Sequence, residues 1–186
     1  MSTEEPAYVV SVRERDFEVR DYPALIVARV DVTGSRNQAS RAGFKLLAGY
    51  IFGGNTRRQS IAMTAPVTQS PAARETIAMT APVIQSGEME SWNVSFVMPG
   101  KFTLETLPMP NDKRVQLLSL APTRVAALRF SGLAEPVDVE RKTALLHNFI
   151  DRHHLSAAGP ASLARYNPPW TPWFMRRNEV WIPVRV

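Results

Sequence analysis

The chain has 186 residues and contains no cysteine. Without a thiol it cannot form a disulfide, a cysteine-ligated zinc site or an iron–sulfur cluster, and it has no cysteine nucleophile. A chain without cysteine is typical of a reducing compartment. This absence therefore favours a cytoplasmic location.

Long apolar runs are also missing from the sequence. No window approaches eighteen consecutive apolar residues, so no membrane span is expected. The first ten residues, MSTEEPAYVV, are acidic and no long apolar stretch follows them, so neither a signal peptide nor a transit peptide is expected.

Several functional motifs have no counterpart in the chain. The formal net charge is +5, but the basic residues are scattered and only Arg57–Arg58 and Arg176–Arg177 form doublets. No nucleic-acid partner is therefore predicted. A Gly-x-Ser-x-Gly elbow and a glycine-rich phosphate loop are both absent, so the case for an enzyme is weak and no catalytic residue is predicted.

What the sequence does contain begins with two helical patterns. Apolar residues recur every three to four positions from Ser35 to Phe52, and Ser35 with Gln38 has the spacing of a capping box. Gly53 and Gly54 then end this helix. A second amphipathic pattern predicts a helix over about 138–154, with Asp138 as its N-cap.

The remaining segments alternate between apolar and polar residues, which is typical of strands in a sheet with one solvent-exposed face. The order is strand–strand–helix–strand–strand, twice over, in pseudo-repeats at about 8–99 and 113–186. Residues Ala157–Ala164 are predicted to be a loop. We expect one α+β domain over residues 1–186, a distorted antiparallel β-barrel of two pseudo-symmetric ββαββ halves, flanked by two α-helices.

One heptapeptide, Ile-Ala-Met-Thr-Ala-Pro-Val, occurs at Ile61–Val67 and again at Ile77–Val83. Matched sequences would give matched neighbours in a hairpin, so the two copies are predicted to be antiparallel arms joined by a loop at about Gln69–Glu75. The proline in each copy predicts an edge or a strand end. The repeated methionine is then a core residue, or it lines a ligand cleft.

Three stretches together resemble the SOUL haem-binding protein family: IAMTAPV, WNVSFVMP and RYNPPWTPWFMRRNEVW. The resemblance extends from Tyr8 to Val186. It implies a distorted barrel with two helices and a non-covalent tetrapyrrole site in a shallow cleft beside the first helix. The family's contact positions fall on Arg41, Phe44 and Ala48. Residues 8–146 contain no histidine, so the axial ligand is unknown.

The residues of the first helix agree with such a site. Phe44 and Phe52 lie off the apolar stripe, on a face that should be solvated, and Arg41 and Lys45 lie beside them, where they could meet carboxylates. The predicted tetrapyrrole-binding residues are Arg41, Phe44, Lys45, Ala48, Phe52, Arg57, Arg58 and Met63. No metal site is predicted, and the three histidines, His147, His153 and His154, are expected to be structural or solvated.

The sequence therefore predicts a protein that binds haem or a related tetrapyrrole without a covalent bond, for haem buffering or transport, and a monomer is favoured. Two alternatives stay open: a small-molecule effector-binding or protein-interaction module, and an enzyme acting on a tetrapyrrole or another small apolar substrate. The segment YNPPWTPWFMRRNEVW either covers one end of the barrel or binds a partner. Arg176, Arg177 and Glu179 are interpreted as a structural set of ion pairs.

Overall fold

The computed structural model describes residues 4–72, 91–167 and 170–185. Its strands are β1 Val9–Glu14, β2 Phe17–Tyr22, β3 Leu25–Thr33, β4 Val67–Pro71, β5 Ser91–Val97, β6 Gln116–Leu120, β7 Thr123–Phe130, β8 Ser156–Ala157, β9 Ser162–Arg165 and β10 Asn178–Arg185. Its helices are α1 Arg36–Ile51 and α2 Pro136–Arg152, and a single 3-10 turn covers Trp173–Met175.

The start of α1 follows from its capping box, as predicted. The Ser35 side chain accepts a hydrogen bond from the Gln38 backbone N–H, and the Ser35 N–H donates to Gln38 Oε1 over 3.1 Å. Both bonds satisfy groups that the first helical turn leaves unpaired. At the other end, Phe52 is the C-cap of the helix, and Gly53 after it has a positive φ of 109°.

The start of α2 differs from the prediction. Glu135 is the N-cap, without a side-chain hydrogen bond, and Pro136 occupies the first turn. Proline suits this position because its fixed φ is helical and its missing N–H would be unpaired anyway. Asp138 lies inside the first turn and pairs with Arg141 over 2.8 Å, so its assignment as N-cap was wrong.

All ten described strands pair antiparallel in one sheet, in the order β1-β2-β7-β10-β9-β4-β5-β3-β6, with β8 beside β10. The two series β2-β3-α1-β4-β5 and β6-β7-α2-β9-β10 confirm the predicted pair of ββαββ halves. Each half exchanges its first strand with the other, because β2 pairs with β7 and β6 pairs with β3. The halves also meet where β4 pairs with β9.

The α+β fold with two helices is therefore confirmed, but the sheet is open. Among the described strands, β1 and β6 stand at opposite ends of the sheet and do not pair with each other. The predicted barrel is thus a distorted one without a closed ring of strands.

Two strand predictions need correction. Residues Gln69–Pro71, which were expected to begin the hairpin loop, belong to β4, which pairs with β5 and β9. Pro66 does precede a strand start, but residues 61–66 are not in a strand. The second heptapeptide, Ile77–Val83, lies outside the described residues. The predicted loop Ala157–Ala164 contains most of β9, which pairs with β10.

A cluster of buried apolar residues lies under each helix. The cluster under α1 is Ala28, Val30, Leu47, Tyr50, Ile51, Ile61, Val94, Phe96, Met98, Leu107 and Val115. The cluster under α2 includes Leu146, Phe149 and Ile150 from the helix and Val180, Ile182 and Val184 from β10. Because strand residues alternate between faces, Glu179 and Trp181 of β10 lie on the opposite face of the sheet.

Candidate ligand-binding site

Helical geometry brings five of the predicted site residues onto the outer face of α1. Arg41 and Lys45 are exposed one turn apart, and Ala48 is half-buried on the next turn. Phe52, the C-cap of the helix, ends this outer face with 70% of its surface exposed. Residues four positions apart on a helix lie on the same face, so the two cations form one row and the three apolar residues form a second row beside it. We call these two rows the ridge.

Phe44 connects this outer face to the core. It is half-buried and packs against the cluster under α1, where its ring meets that of Phe96 edge-on, with centroids 5.4 Å apart. Phe44 is therefore partly a core residue rather than a fully solvated one. Its contact with Phe96 fixes the ring at the surface of α1, so a ligand would meet a rigid aromatic group.

The segment after α1 folds back along the end of the helix. Asn55 holds this turn, because its amide donates to the carbonyls of Tyr50 and Gln59 and its Oδ1 accepts from the Gln59 N–H. The Ile61 N–H then bonds to the Ile51 carbonyl over 2.7 Å. This tight return places the following residues beside the helix end.

The other three predicted site residues lie on this returning segment. Arg57 and Arg58 are exposed at the turn, and Arg57 Nη1 donates weakly to the Thr106 carbonyl over 3.4 Å. Met63 is half-buried and packs against the cluster under α1. The structure thus places Arg57 and Arg58 near the end of the ridge, whereas Met63 is largely a packing residue.

The outer face of α1 leaves room for a ligand at Gly49. A Cβ atom built on Gly49 would meet no heavy atom within 4 Å. Glycine has no side chain to stand above the helix surface, so the ridge is flat between Lys45 and Phe52. A planar molecule could approach the helix backbone closely at this point.

These residues fit a tetrapyrrole in their chemistry. Phe44, Ala48 and Phe52 offer apolar contact to a macrocycle, and the cations offer partners for its carboxylates. His147 lies on α2, His153 is the C-cap of that helix and His154 follows the cap. The His153 Nε2 lies 3.2 Å from a Glu14 carboxylate oxygen. Within the predicted set only the Met63 thioether is a soft donor of the kind that haem iron accepts.

His147 lines a different groove, between α2 and the ends of β4 and β9. Its volume is about 370 Å³, and its lining residues are Arg36, Pro71, Val139, Glu140, Thr143, Ala144, His147 and Ala161. None of the predicted tetrapyrrole-binding residues lies there. Sequence reasoning missed this groove because its lining residues come from four segments, the start of α1, the end of β4, α2 and the residue before β9, which only the folded chain brings together.

A buried polar network lies on the sheet face opposite the helices. Glu179 is fully buried and accepts hydrogen bonds from Arg20 Nη1 over 2.6 Å and from Arg177 Nη2 over 2.9 Å. Tyr166 and the Trp181 indole donate to the same carboxylate over 2.8 and 2.7 Å. The interpretation of Arg177 and Glu179 as an ion pair is confirmed.

The network has a strong effect on the ionisation of Glu179. Burial alone would raise the pKa of this carboxyl, but the hydrogen bonds and charge of Arg20 outweigh burial and lower it to about 2. Burial raises the pKa of Tyr166 above its usual range. Because its acceptor positions are occupied, Glu179 is a structural anion with no free lone pair for a substrate.

None of the helices in the described part of the chain is both long and apolar enough to cross a membrane.

Solved structures of similar fold include the C-terminal domain of EcmrR, with a TM-score of 0.63 and 10% identity, which covers 96% of this chain and 98% of that chain. A hydrolase from Listeria innocua superposes with a TM-score of 0.60 at 15% identity and covers 94% of each chain. At these identities the likeness concerns the fold alone.

Sequence comparison gives a more specific result. "Heme-binding protein 1" of Xenopus laevis is 25% identical over 179 residues, which cover 93% of this chain and 87% of that protein. The family model "SOUL heme-binding protein" matches residues 3–183, nearly the whole length. The chain therefore belongs to the SOUL haem-binding protein family.

Proposed function

We propose that this protein binds haem or a related tetrapyrrole non-covalently on the outer face of α1, and that it serves haem buffering or transport. The observation that carries the proposal is Phe52, which is 70% exposed at the end of a ridge that also holds Phe44 and Ala48. An exposed apolar patch bordered by polar residues is typical of a ligand-binding surface, and Phe52 with its neighbours on the ridge forms such a patch.

The charges around the ridge support an amphipathic anion as the ligand. Arg41 and Lys45 are exposed beside Phe44, and Arg57 and Arg58 follow the helix end. A tetrapyrrole with carboxylates presents one apolar plane and an acidic edge, so the plane would cover the aromatic residues and the edge would face the cations. Family membership and the name of the Xenopus laevis relative point to the same ligand class.

Weak to moderate affinity is expected from this surface. Covering a large exposed aromatic side chain gains about 1.5–3 kcal/mol. An exposed ion pair adds only about 0–1 kcal/mol, because water screens it. The loss of translational and rotational entropy of the ligand on binding offsets part of these gains. The proposed role in buffering or transport requires release as well as binding, and modest affinity suits it.

A haem titration followed at the Soret band tests the site. Phe52→Asp should abolish binding for two reasons. The apolar macrocycle would have to cover a charged carboxylate, and that carboxylate would repel the acidic groups of the ligand. Phe52 is exposed, so this change should not unfold the protein. Val9→Asp on β1 is the matched control, since Val9 is also exposed, at 69%, and lies far from α1 in the sheet. Equal binding by Phe52→Asp and wild type would exclude this ridge.

Further variants separate the contributions of the remaining groups. Phe44→Asp should also abolish binding, and Arg41→Ala should weaken it by about 1 kcal/mol, the scale of a partly exposed charged hydrogen bond. His147→Ala should leave the Soret band unchanged. If His147→Ala or His153→Ala shifts the Soret band while Phe52→Asp binds haem like wild type, the site lies at α2 instead.

The effector-binding alternative is distinguished by the wild type itself. A protein that binds no haem at any concentration short of aggregation would favour a small-molecule effector module instead. A haem signal that decays over time with a reductant present would favour turnover by an enzyme.

A further inference from the structure

A cluster of exposed apolar side chains lies on the loop before β10. Trp170, Trp173, Phe174 and Met175 are exposed by 83%, 59%, 62% and 65%, and we call these four residues the aromatic patch. Apolar groups that protrude this far in a row from one loop are unusual unless a partner covers them.

The loop that carries the aromatic patch is held in place. The Gly132 N–H donates to the Trp173 carbonyl over 3.2 Å, and the Arg176 N–H donates to the same carbonyl over 3.3 Å. The rings of Trp173 and Phe174 meet edge-on with centroids 5.7 Å apart. Leu133, next to Gly132, is 51% exposed and extends the apolar surface. These contacts hold the aromatic patch in a fixed position on the folded protein.

A cationic groove borders the aromatic patch. Its volume is about 630 Å³, and Phe174 and Met175 form part of its lining. The charged residues that line it are five cations and two anions: Arg129, Arg141, Lys142, Arg176, Arg177, Asp16 and Asp138. The groove is therefore positive next to an apolar edge.

Two of these cations are available for an outside partner. Arg141 pairs with Asp138, and Arg177 pairs with Glu179 and Glu5. The Arg129 side chain is exposed and makes no ion pair within the described part of the chain. Lys142 Nζ lies 5.8 Å from the centroid of the Phe130 ring, and among the described residues it has no ion-pair partner.

We propose that the aromatic patch and the groove beside it dock this protein onto an anionic lipid bilayer. Trp170, Trp173, Phe174 and Met175 would enter the interface between head groups and acyl chains. Arg129 and Lys142 would lie over the acidic head groups. Tryptophan with an apolar body and a polar N–H suits this interface, and adjacent cations add attraction to anionic lipid.

Charge complementarity and shape favour a bilayer over a folded protein partner. The cations border the apolar residues on one side, which matches a surface with charged head groups above an apolar layer. Trp170 and Trp173 lie outside the groove lining and protrude, so they present no concave surface for a partner's side chain. The proposal stands apart from haem binding and does not depend on it.

Co-sedimentation of the full chain with vesicles tests the proposal. Vesicles of phosphatidylcholine and phosphatidylserine in equal parts should bind the protein, and vesicles of phosphatidylcholine alone should bind it at least about tenfold more weakly. Added salt should release the protein, because it screens the head-group charge.

Two double variants and two matched controls locate the contact. Trp173→Ser/Phe174→Ser and Arg129→Glu/Lys142→Glu should each weaken binding to the mixed vesicles about tenfold or more. Leu104→Ser/Met109→Ser and Lys101→Glu/Lys113→Glu change exposed apolar and basic residues in the loop between β5 and β6 and should bind like wild type. Circular dichroism confirms that each variant is folded.

Three results would overturn the proposal. The first is equal binding to the mixed vesicles by the patch variants and the controls. The second is lipid-free dimerisation that Trp173→Ser/Phe174→Ser abolishes, because the patch would then bind a second copy of the chain. The third is loss of haem binding by that variant with vesicle binding unchanged, which would assign the patch to a haem site.

Discussion

At the scale of single residues, Glu179 is the group on which most polar contacts converge. Its two oxygens accept hydrogen bonds from Arg20, Tyr166, Arg177 and Trp181. A buried carboxylate is tolerated only when donors replace the water it has lost. Arg20 lies on β2 and Glu179 on β10, so this contact ties strands from the two ends of the chain.

Glu179→Gln should destabilise the protein by about 3–5 kcal/mol, because it removes the buried negative charge that Arg20 and Arg177 share. Arg20 keeps Glu18 as a second partner, 2.7 Å from its Nε, but Glu18 lies on the other side of the guanidinium and does not replace the lost carboxylate. The measurement is the free energy of unfolding from urea titration at neutral pH. Asp112→Asn is the matched control: Asp112 pairs with Arg114 on the surface, where solvent screens the pair, so stability should hardly change. Equal stability of the two variants would contradict the structural role of Glu179.

The ionisation of Glu179 predicts an acid dependence of stability. Its pKa falls from the ordinary value of 4.5 to about 2 in the folded state, so between these values only the unfolded chain takes up the proton. The stabilisation is therefore complete above pH 4.5 and is lost as the pH falls towards 2. NMR of the side-chain carboxyl carbon should show no titration of Glu179 near pH 4.5, the ordinary value. A midpoint there would contradict this prediction.

At the scale of elements, α1 depends on a glycine that propensity alone would exclude. Gly43 is buried where α1 crosses β5, and a Cβ atom there would lie 2.6 Å from the Val94 Cβ. Glycine lowers helix propensity, so its presence in mid-helix indicates close packing of helix on sheet.

Gly43→Ala should therefore destabilise the protein, even though alanine is the better helix former. Overpacking costs about 1–3 kcal/mol, and the gain in propensity is only about 1 kcal/mol. Gly49→Ala on the same helix is the control: it has open space and should stabilise by about 0.4–1 kcal/mol. Thermal unfolding of both variants gives the comparison, and stabilisation by Gly43→Ala would show that α1 sits further from β5.

The two helices could be predicted from the sequence because their signals are local. Ser35 and Gln38 lie within one turn of each other, and the apolar stripe of α1 repeats within sixteen residues. Strand partners depend on distant segments instead. The repeated heptapeptide pointed to a local hairpin, whereas β4 pairs with β5 and β9, which no local pattern could indicate.

The same distinction applies to the candidate site. The ridge of Arg41, Phe44 and Phe52 lies on one helix, so its spacing could be read from the sequence. The ion pair between Arg20 and Glu179 joins residues 159 positions apart, so it could not be predicted from the sequence. The groove beside Phe174 combines residues from β7, α2 and the loop before β10, and only the folded sheet brings them together.

At the scale of the whole molecule, the exchanged strands govern how the chain folds. The first half contributes β2 to β7, and the second half contributes β6 to β3. Each half thus completes the sheet of the other, and residues of both halves surround Glu179. We infer that the chain folds as a single cooperative domain.

This inference predicts one unfolding transition and no stable half. Tryptophan fluorescence and far-ultraviolet circular dichroism should give coincident urea curves for the full chain. Fragments 1–110 and 111–186 should each be unfolded alone, since each lacks one exchanged partner strand. A fragment that shows its own cooperative transition would contradict a single domain.

The exchange of strands also has a consequence during protein synthesis. Tyr22 of β2 pairs with Thr123 of β7, which the ribosome adds about 100 residues later. At about 5–20 residues per second the nascent chain waits roughly 5–20 s with the edges of β2 and β3 unpaired. Unpaired strand edges can pair with other nascent chains. Translation speed and chaperone supply over this interval should therefore decide how much of the protein escapes aggregation.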